Sequence, residues 1–173
     1  MEAKIISRGK LYLTPLKQHH LQEIHDNLHP ENIRELKLMG YDDIMVALEQ
    51  MLRDSDCYLA RKEGGPFLFV GGLWFDQDQE FPQVFAMFSK QMKKDYVSLA
   101  RGSRMLINFF DQMFPNTTMT ILSDYEGMLN WATWLGYEPV GIIEHGENSY
   151  VEFVRCTIPP KDVYDDESRP MMH

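Results

Sequence analysis

Between residues 57 and 90 three apolar runs, CYLARK, FLFVGGLWF and QVFAMFSK, follow one another with only a Gly64-Gly65-Pro66 turn and a short polar stretch between them. Parallel neighbours need a crossover of a dozen or more residues, so connections this short force an antiparallel meander. The rest of the chain must be built around that sheet, and its period is different. Ahead of it, a strand signal at Leu11, Tyr12 and Leu13 ends at Thr14-Pro15, after which Leu16, Leu21, Ile24 and Leu28 recur at helical spacing. His29-Pro30 breaks that helix, ENIRELKLMG reads as a second one closed by Gly40, and DDIMVALEQMLRD as a third with Asp42 as its cap. Behind the meander comes a long helix over about 98–113, with Leu99, Met105, Leu106, Phe109, Phe110 and Met113 on its apolar side. Pro115-Asn116 then turns the chain into the strand TMTILS. A helix at 125–135 stopped by Gly136 and two strands, 137–144 and 149–157, about the turn at His145-Gly146 complete the series.

The order is therefore β-ααα-βββ-α-β-α-ββ, an α+β fold in which a mixed, mostly antiparallel central sheet is flanked by helices. A length of 173 residues suits one core, and the expected domain is 1–157. Residues 158–173, IPPKDVYDDESRPMMH, read as an acidic, proline-containing tail outside it. Twenty-six acidic against 17 basic side chains, a formal charge of −9, argue against nucleic acid or anionic lipid as the main ligand. The N-terminus lacks the apolar core of a signal peptide and no apolar run approaches the length of a membrane span, so a cytoplasmic protein is expected, or one made in a cytoplasm and then packaged. Cys57 and Cys156 fall in strand segments without metal-ligand spacing and read as buried free thiols. His25 and His29 lie four apart, near His19 and His20, but HExxH is absent; the histidines read as surface groups, and no metal is expected.

Two stretches carry chemistry. One is Val97-Ser98-Leu99-Ala100-Arg101-Gly102-Ser103-Arg104, where Lys93, Lys94, Arg101 and Arg104 gather positive charge in an acidic chain at the start of the long helix. Helix starts present unpaired N–H groups and the positive end of the dipole, so an anion fits there. The other stretch runs from Asp124-Tyr125 to Leu135-Gly136-Tyr137.

Element order and both stretches resemble the GNAT (Gcn5-related N-acetyltransferase) superfamily over about residues 10–157. The first stretch is similar to the family's pyrophosphate pattern Q/R-x-x-G-x-G/A, with Ala100 and Gly102 at the glycine positions and Val97 departing at the leading one. The resemblance implies that Ala100, Arg101, Gly102, Ser103 and Arg104 hold coenzyme A. It also implies that the strand edge at Ala86 to Ser89 splays open to hydrogen-bond the pantetheine arm, with Ala86 and Phe88 as contacts. Gly136-Tyr137 matches the family's helix ending, but Ala132 stands where the family places the tyrosine that protonates the leaving thiolate. Tyr125 supplying a phenol from another place, or water, would have to replace it. Asp124 is a candidate base, as are the turn acids Asp76, Asp78 and Glu80.

The implied function is transfer of an acyl group from acetyl-CoA to a primary amine, the acceptor site being shaped by the helical block near residues 28–42. The Leu13-Thr14-Pro15 start, the Gly71-Gly72 pair, the eroded loop and Gly136 also resemble the degenerate GNAT-like proteins of short-tailed bacteriophages, some of them internal virion proteins. That likeness implies the alternative, a virion or interaction component without turnover, whose partners are proteins.

Overall fold

The computed structural model describes residues 2–157, so the tail expected at 158–173 lies outside the described residues. Among the described residues eight strands form one sheet: β1 (Ile6–Arg8), β2 (Leu11–Pro15), β3 (Ser55–Lys62), β4 (Phe67–Trp74), β5 (Gln83–Phe88), β6 (Asn116–Leu122), β7 (Glu138–His145) and β8 (Asn148–Cys156). Their spatial order is β1-β2-β3-β4-β5-β6-β8-β7, and every neighbouring pair is antiparallel except β5 and β6. The expected meander is β3-β4-β5. The three-residue β1, which pairs Ile6 with Leu13, was too short to give a period in the sequence.

Helices α1 (Leu21–Asn27), α2 (Pro30–Leu38) and α3 (Ile44–Asp54) precede the meander, α4 (Tyr96–Met113) links β5 to β6, and α5 (Glu126–Trp134) follows β6. The cap of α3 is Asp43, which accepts from the Met45 N–H at 3.0 Å, and not the expected Asp42. Each face of the sheet has its own core, as strand alternation requires. Phe85 and Met87 of β5 pack with Leu21, Ile24, Leu48 and Met51 on the α1–α3 side. Val84, Ala86 and Phe88 pack with Leu99, Leu106, Phe110 and Met128 on the α4–α5 side. Leu106 is fully buried there, so Leu106→Ala would cost about 2–5 kcal/mol.

Gly136 ends α5 at φ +93°, and a Cβ there would stand 2.4 Å from Arg155 Nη1. That guanidinium donates to the Leu135 carbonyl at 2.7 Å and pairs with Asp111, tying the end of α5 to β8 and α4. The next residue, Tyr137, is buried with its hydroxyl 2.7 Å from Thr117 Oγ1. Cys57 is buried as expected, but Cys156, the last residue of β8, is exposed.

Candidate functional site

The parallel strands β5 and β6 pair only at Gln83 and Thr118, so the sheet opens between them toward Phe88 and Leu122. The Ser89 N–H points to β4, donating to the Leu68 carbonyl at 3.0 Å, so by alternation Phe88 and Ala86 turn their backbone groups toward the opening. Phe88 is already satisfied there. Its N–H donates to Asn32 Oδ1 at 2.9 Å and its carbonyl accepts from the His29 N–H at 2.9 Å. Ala86 has no register partner on β6, where the pairing stops at Gln83 and Thr118. Of the two β5 residues expected to meet a pantetheine arm, Ala86 faces the opening outside the β5–β6 register, whereas Phe88 is held by α2 and the residue before it.

The helical breaker His29-Pro30 turns the chain against the end of β5, which brings α2 to one side of the opening. Asn32 is completely buried, and besides holding Phe88 it donates through Nδ2 to Glu35 Oε2 at 3.3 Å. Burial pushes the Glu35 carboxyl up to about 7, against the opposing effect of the Asn32 hydrogen bond. Glu35 lines a cavity of about 390 Å³ whose other walls are largely apolar: Leu36, Met39, Leu48, Met51, Trp74 and Phe85 among them. A carboxyl whose pKa lies near neutrality inside a cleft is the ordinary signature of a general base. Nothing in the sequence analysis singled it out, because ENIRELKLMG reads as an amphipathic helix with its acids in water; the clue was Asn32, a polar residue adjoining the apolar position Ile33.

Tyr125 lies on the other side of the opening, at the start of α5, where it lines a second cavity of about 360 Å³ with Phe88, Met92, Leu99, Met128 and Trp131. Its hydroxyl is buried without a hydrogen-bond partner among the described residues. Burial, reinforced by the Glu35 and then the Glu31 carboxylates, raises the Tyr125 phenol above its ordinary value, so it stays protonated. An unpartnered buried hydroxyl costs free energy, and a site where a ligand supplies the partner accounts for one.

Asp124, the other candidate, is arranged differently. It is 70% exposed and held by Arg34, whose Nη2 and Nη1 donate at 2.9 and 3.2 Å. The hydrogen bond from Arg34 lowers its pKa, making it a poor proton acceptor. Arg34 also grips Glu31 at 2.7 Å, so the Glu31–Arg34–Asp124 chain ties α2 to the start of α5 across the opening. Asp124 is thus placed to position the two walls.

The basic stretch is not where a loop before the helix would put it. α4 begins at Tyr96, with Asp95 as its cap, so Ala100 to Arg104 lie in the second and third turns. Gly102 is buried against the core, where an added Cβ would stand 3.0 Å from Phe69. Ser103 donates to the Leu99 carbonyl at 2.8 Å and accepts from Trp131 Nε1 at 2.9 Å. Arg104 stacks on the Trp134 ring and donates to the Trp134 carbonyl at 3.1 Å. Arg101 remains exposed and Ala100 lines the Tyr125 cavity. Leu99, Gly102, Ser103 and Leu106 turn inward, so the glycine matches the motif by spacing but serves helix–sheet packing. At the true helix start, the Asp95 carboxylate accepts from the Ser98 N–H at 3.1 Å and pairs with Lys62 at 2.5 Å. The place of an anion is taken by the chain's own carboxylate.

Asp76, Asp78 and Glu80 are exposed in the β4–β5 turn, with Asp76 accepting from the Asp78 N–H at 3.0 Å. The expectation of surface histidines fails at His20, which is buried beside Glu2 with Nε2 2.5 Å from Oε1. Glu2, His19 and His20 bring potential ligand atoms within 4.8 Å of one another. His20 Nδ1, however, accepts from the Lys17 N–H at 2.9 Å, so the neutral ring carries its proton on Nε2, facing Glu2, and has no lone pair there for a metal. His29 accepts from the Glu31 N–H as the cap of α2. Among the described residues no helix is long and apolar enough to cross a membrane.

No protein-family model matches the sequence, and no curated protein matches it significantly. Solved structures do match the fold. One assigned to the GNAT acetyltransferase family, from Bordetella pertussis, shares 12% identity with a TM-score of 0.65, covering 89% of this chain and 100% of its own. A GNAT-family acetyltransferase from Bacillus anthracis shares 8% at a TM-score of 0.66, over 88% and 98% of the two chains. A ribosomal L7/L12 alpha-N-protein acetyltransferase in complex with coenzyme A shares 9% at a TM-score of 0.63, over 89% and 98%. With an open, mostly antiparallel eight-stranded sheet, a single parallel pair and five helices in this order, the chain has the GNAT fold.

Proposed function

We propose that this protein is an acyl-CoA-dependent N-acyltransferase that takes a primary amine as acceptor, with its reacting centre in the β5–β6 opening. The observation that carries this reading is the pairing of Glu35, with its carboxyl near 7, and the unpartnered Tyr125 hydroxyl across that opening. Acetyl-CoA, which the coenzyme A complex of a fold neighbour makes a reasonable donor, would supply an activated thioester. Glu35 takes the proton released by the amine nitrogen as the N–C bond forms. Tyr125 holds a proton at Oη for the departing sulfur, replacing the tyrosine that Ala132, fully buried in the core, cannot provide. The Ala86 N–H, facing the opening beyond the β5–β6 register, is the donor placed for a carbonyl oxygen gaining charge, and fixed donors of this kind can contribute much of a rate enhancement.

At the phosphate end, Ala100, Arg101 and the neighbouring Lys93 and Lys94 are the groups left to meet an anion, since Gly102, Ser103 and Arg104 are engaged in packing. One observation favours a second reading, in which the fold has lost turnover and serves as an interaction module or phage virion component: Asp95 repels a phosphate from the helix start. Residence in the cytoplasm goes with either reading, and packaging in a virion with the second. Calorimetric titration with acetyl-CoA, followed by thiol release in the presence of a primary amine, separates them. Micromolar binding with amine-dependent thiol release is expected; no binding at millimolar acetyl-CoA would leave the second reading.

A further inference from the structure

The cavity around Glu35 carries more information than the presence of a base. Among its lining residues Glu35 is the one formal charge. Its other polar groups are partly committed: Tyr41 donates to Gln50 Oε1 at 2.7 Å, and Asn32 is engaged with Phe88 and Glu35. Gln83, at the start of β5, adds a neutral amide; the rest of the lining is apolar, and it continues outward to the mouth, where Met39 is 67% exposed and Trp74 36% exposed. Met39, Met51 and Met87 are flexible, polarisable side chains that fit apolar skeletons of varied outline. At about 390 Å³ the cavity is within the size range of small-molecule sites.

A chamber with one carboxylate and largely apolar walls favours one charged group and penalises a second, which would be desolvated with no charged partner. Resting on the acyl-transfer reading, we infer that the acceptor is a primary amine with an apolar skeleton, an alkylamine or arylalkylamine, whose nitrogen meets Glu35 while its carbon body fills the α2–α3 cavity between Met39, Met51 and Trp74. Polyamines and hydroxylated amines are the classes this arrangement selects against.

The test is a panel of acceptors with the full chain and acetyl-CoA at pH 8: butylamine, hexylamine, 2-phenylethylamine, ethanolamine and spermidine. Thiol release is expected to give a kcat/KM that rises about fourfold per methylene from butylamine to hexylamine. It should be at least a hundredfold higher for 2-phenylethylamine than for ethanolamine or spermidine. A flat series, or preference for spermidine or ethanolamine, overturns the inference while leaving acyl transfer intact. If no amine is turned over, the acyl-transfer reading has failed, and titration of the protein with hexylamine and spermidine decides the cavity's chemistry by itself. Hexylamine binding that weakens at least tenfold in Glu35→Gln supports it, and tighter binding of spermidine, or no binding of hexylamine, overturns it. Met39→Glu, a change at an exposed position, should narrow the hexylamine-to-spermidine ratio at least tenfold by giving a second ammonium a partner; an unchanged ratio would also count against the assignment.

Discussion

Around the β5–β6 opening, the Tyr125 hydroxyl is without a hydrogen-bond partner among the described residues, Ala86 lies beyond the β5–β6 register, and Glu35 is pushed up to about 7 by burial. At the start of α4 the opposite holds. Asp95 caps the helix, Lys62 neutralises Asp95, and the glycine that resembles a phosphate-binding residue packs on Phe69. Both regions descend from features common to any protein, a sheet edge and a helix terminus, yet in one the chain has filled its own vacancies and in the other it has not. Unsatisfied buried groups cost stability and persist where something else rewards them, so the first region is the better guide to chemistry.

The sharpest way to break this comparison is Glu35→Gln, which keeps the shape and the contact with Asn32 but removes the base. A loss of roughly a hundredfold or more in kcat/KM is expected, read by thiol release. Stability should move the other way. Because the folded pKa of Glu35 lies above its ordinary value of 4.5, its contribution is fully present below that value and is lost as pH rises through about 7. The native chain should therefore give up on the order of 3 kcal/mol across that window, and Glu35→Gln should not. Denaturant midpoints of the two proteins at pH 4.5 and 8 check this; a variant less stable at pH 8 would mean that the carboxylate is structurally required. The same ionisation should set the rate. With the base active only when deprotonated, the rise of kcat/KM with pH should be about tenfold per unit steeper below about 7 than above it, where only the acceptor amine's own deprotonation still contributes. A profile without a break near 7 would remove Glu35 from the reaction.

Tyr125→Phe has a smaller expected effect, roughly ten- to a hundredfold in kcat with KM nearly unchanged, since the hydroxyl acts on the leaving sulfur. Removing an unpartnered buried hydroxyl should also leave the fold at least as stable. A large drop in melting temperature would show that the hydroxyl has a structural partner.

How much of this was legible in the sequence follows from what each element depends on. The meander and the five helices were, because their periods are local: Leu21, Ile24 and Leu28 repeat on α1 and its end, and Leu99, Leu106 and Phe110 on α4. Strand β1 was not, since three residues carry no period. Tyr125 could be nominated as a phenol near the expected active segment, but its unpartnered state depends on α2 and α5 meeting across the sheet. Glu35 is wholly a tertiary feature. Its carboxyl is drawn partly out of water where Asn32 docks α2 onto the end of β5, a contact spanning residues 32 and 88. Gly102 is legible only by spacing: glycine beside a basic helix face fits a phosphate cradle and a tight helix–sheet approach equally well, and the start of α4 at Tyr96 places it in the second turn against Phe69.

The finest probe of the contrast is Asp95→Asn. Asparagine caps a helix about as well as aspartate, so the hydrogen bond to Ser98 and the helix survive, while the charge facing an incoming phosphate is removed. The lost pairing with Lys62 is a half-exposed one, worth little. Lys62 is moreover released to join Lys93 and Lys94 in attracting an anion. Affinity for coenzyme A should rise three- to tenfold at low ionic strength, and the gain should shrink as salt is added, because it is electrostatic. Calorimetric titration at two salt concentrations reads both. Should affinity not change, the phosphates lie away from the α4 terminus, and Asp95 is an ordinary cap with no bearing on the ligand. If it rises, the Asp95 charge is what holds a phosphate off the α4 terminus, where Lys62, Lys93 and Lys94 remain to attract it.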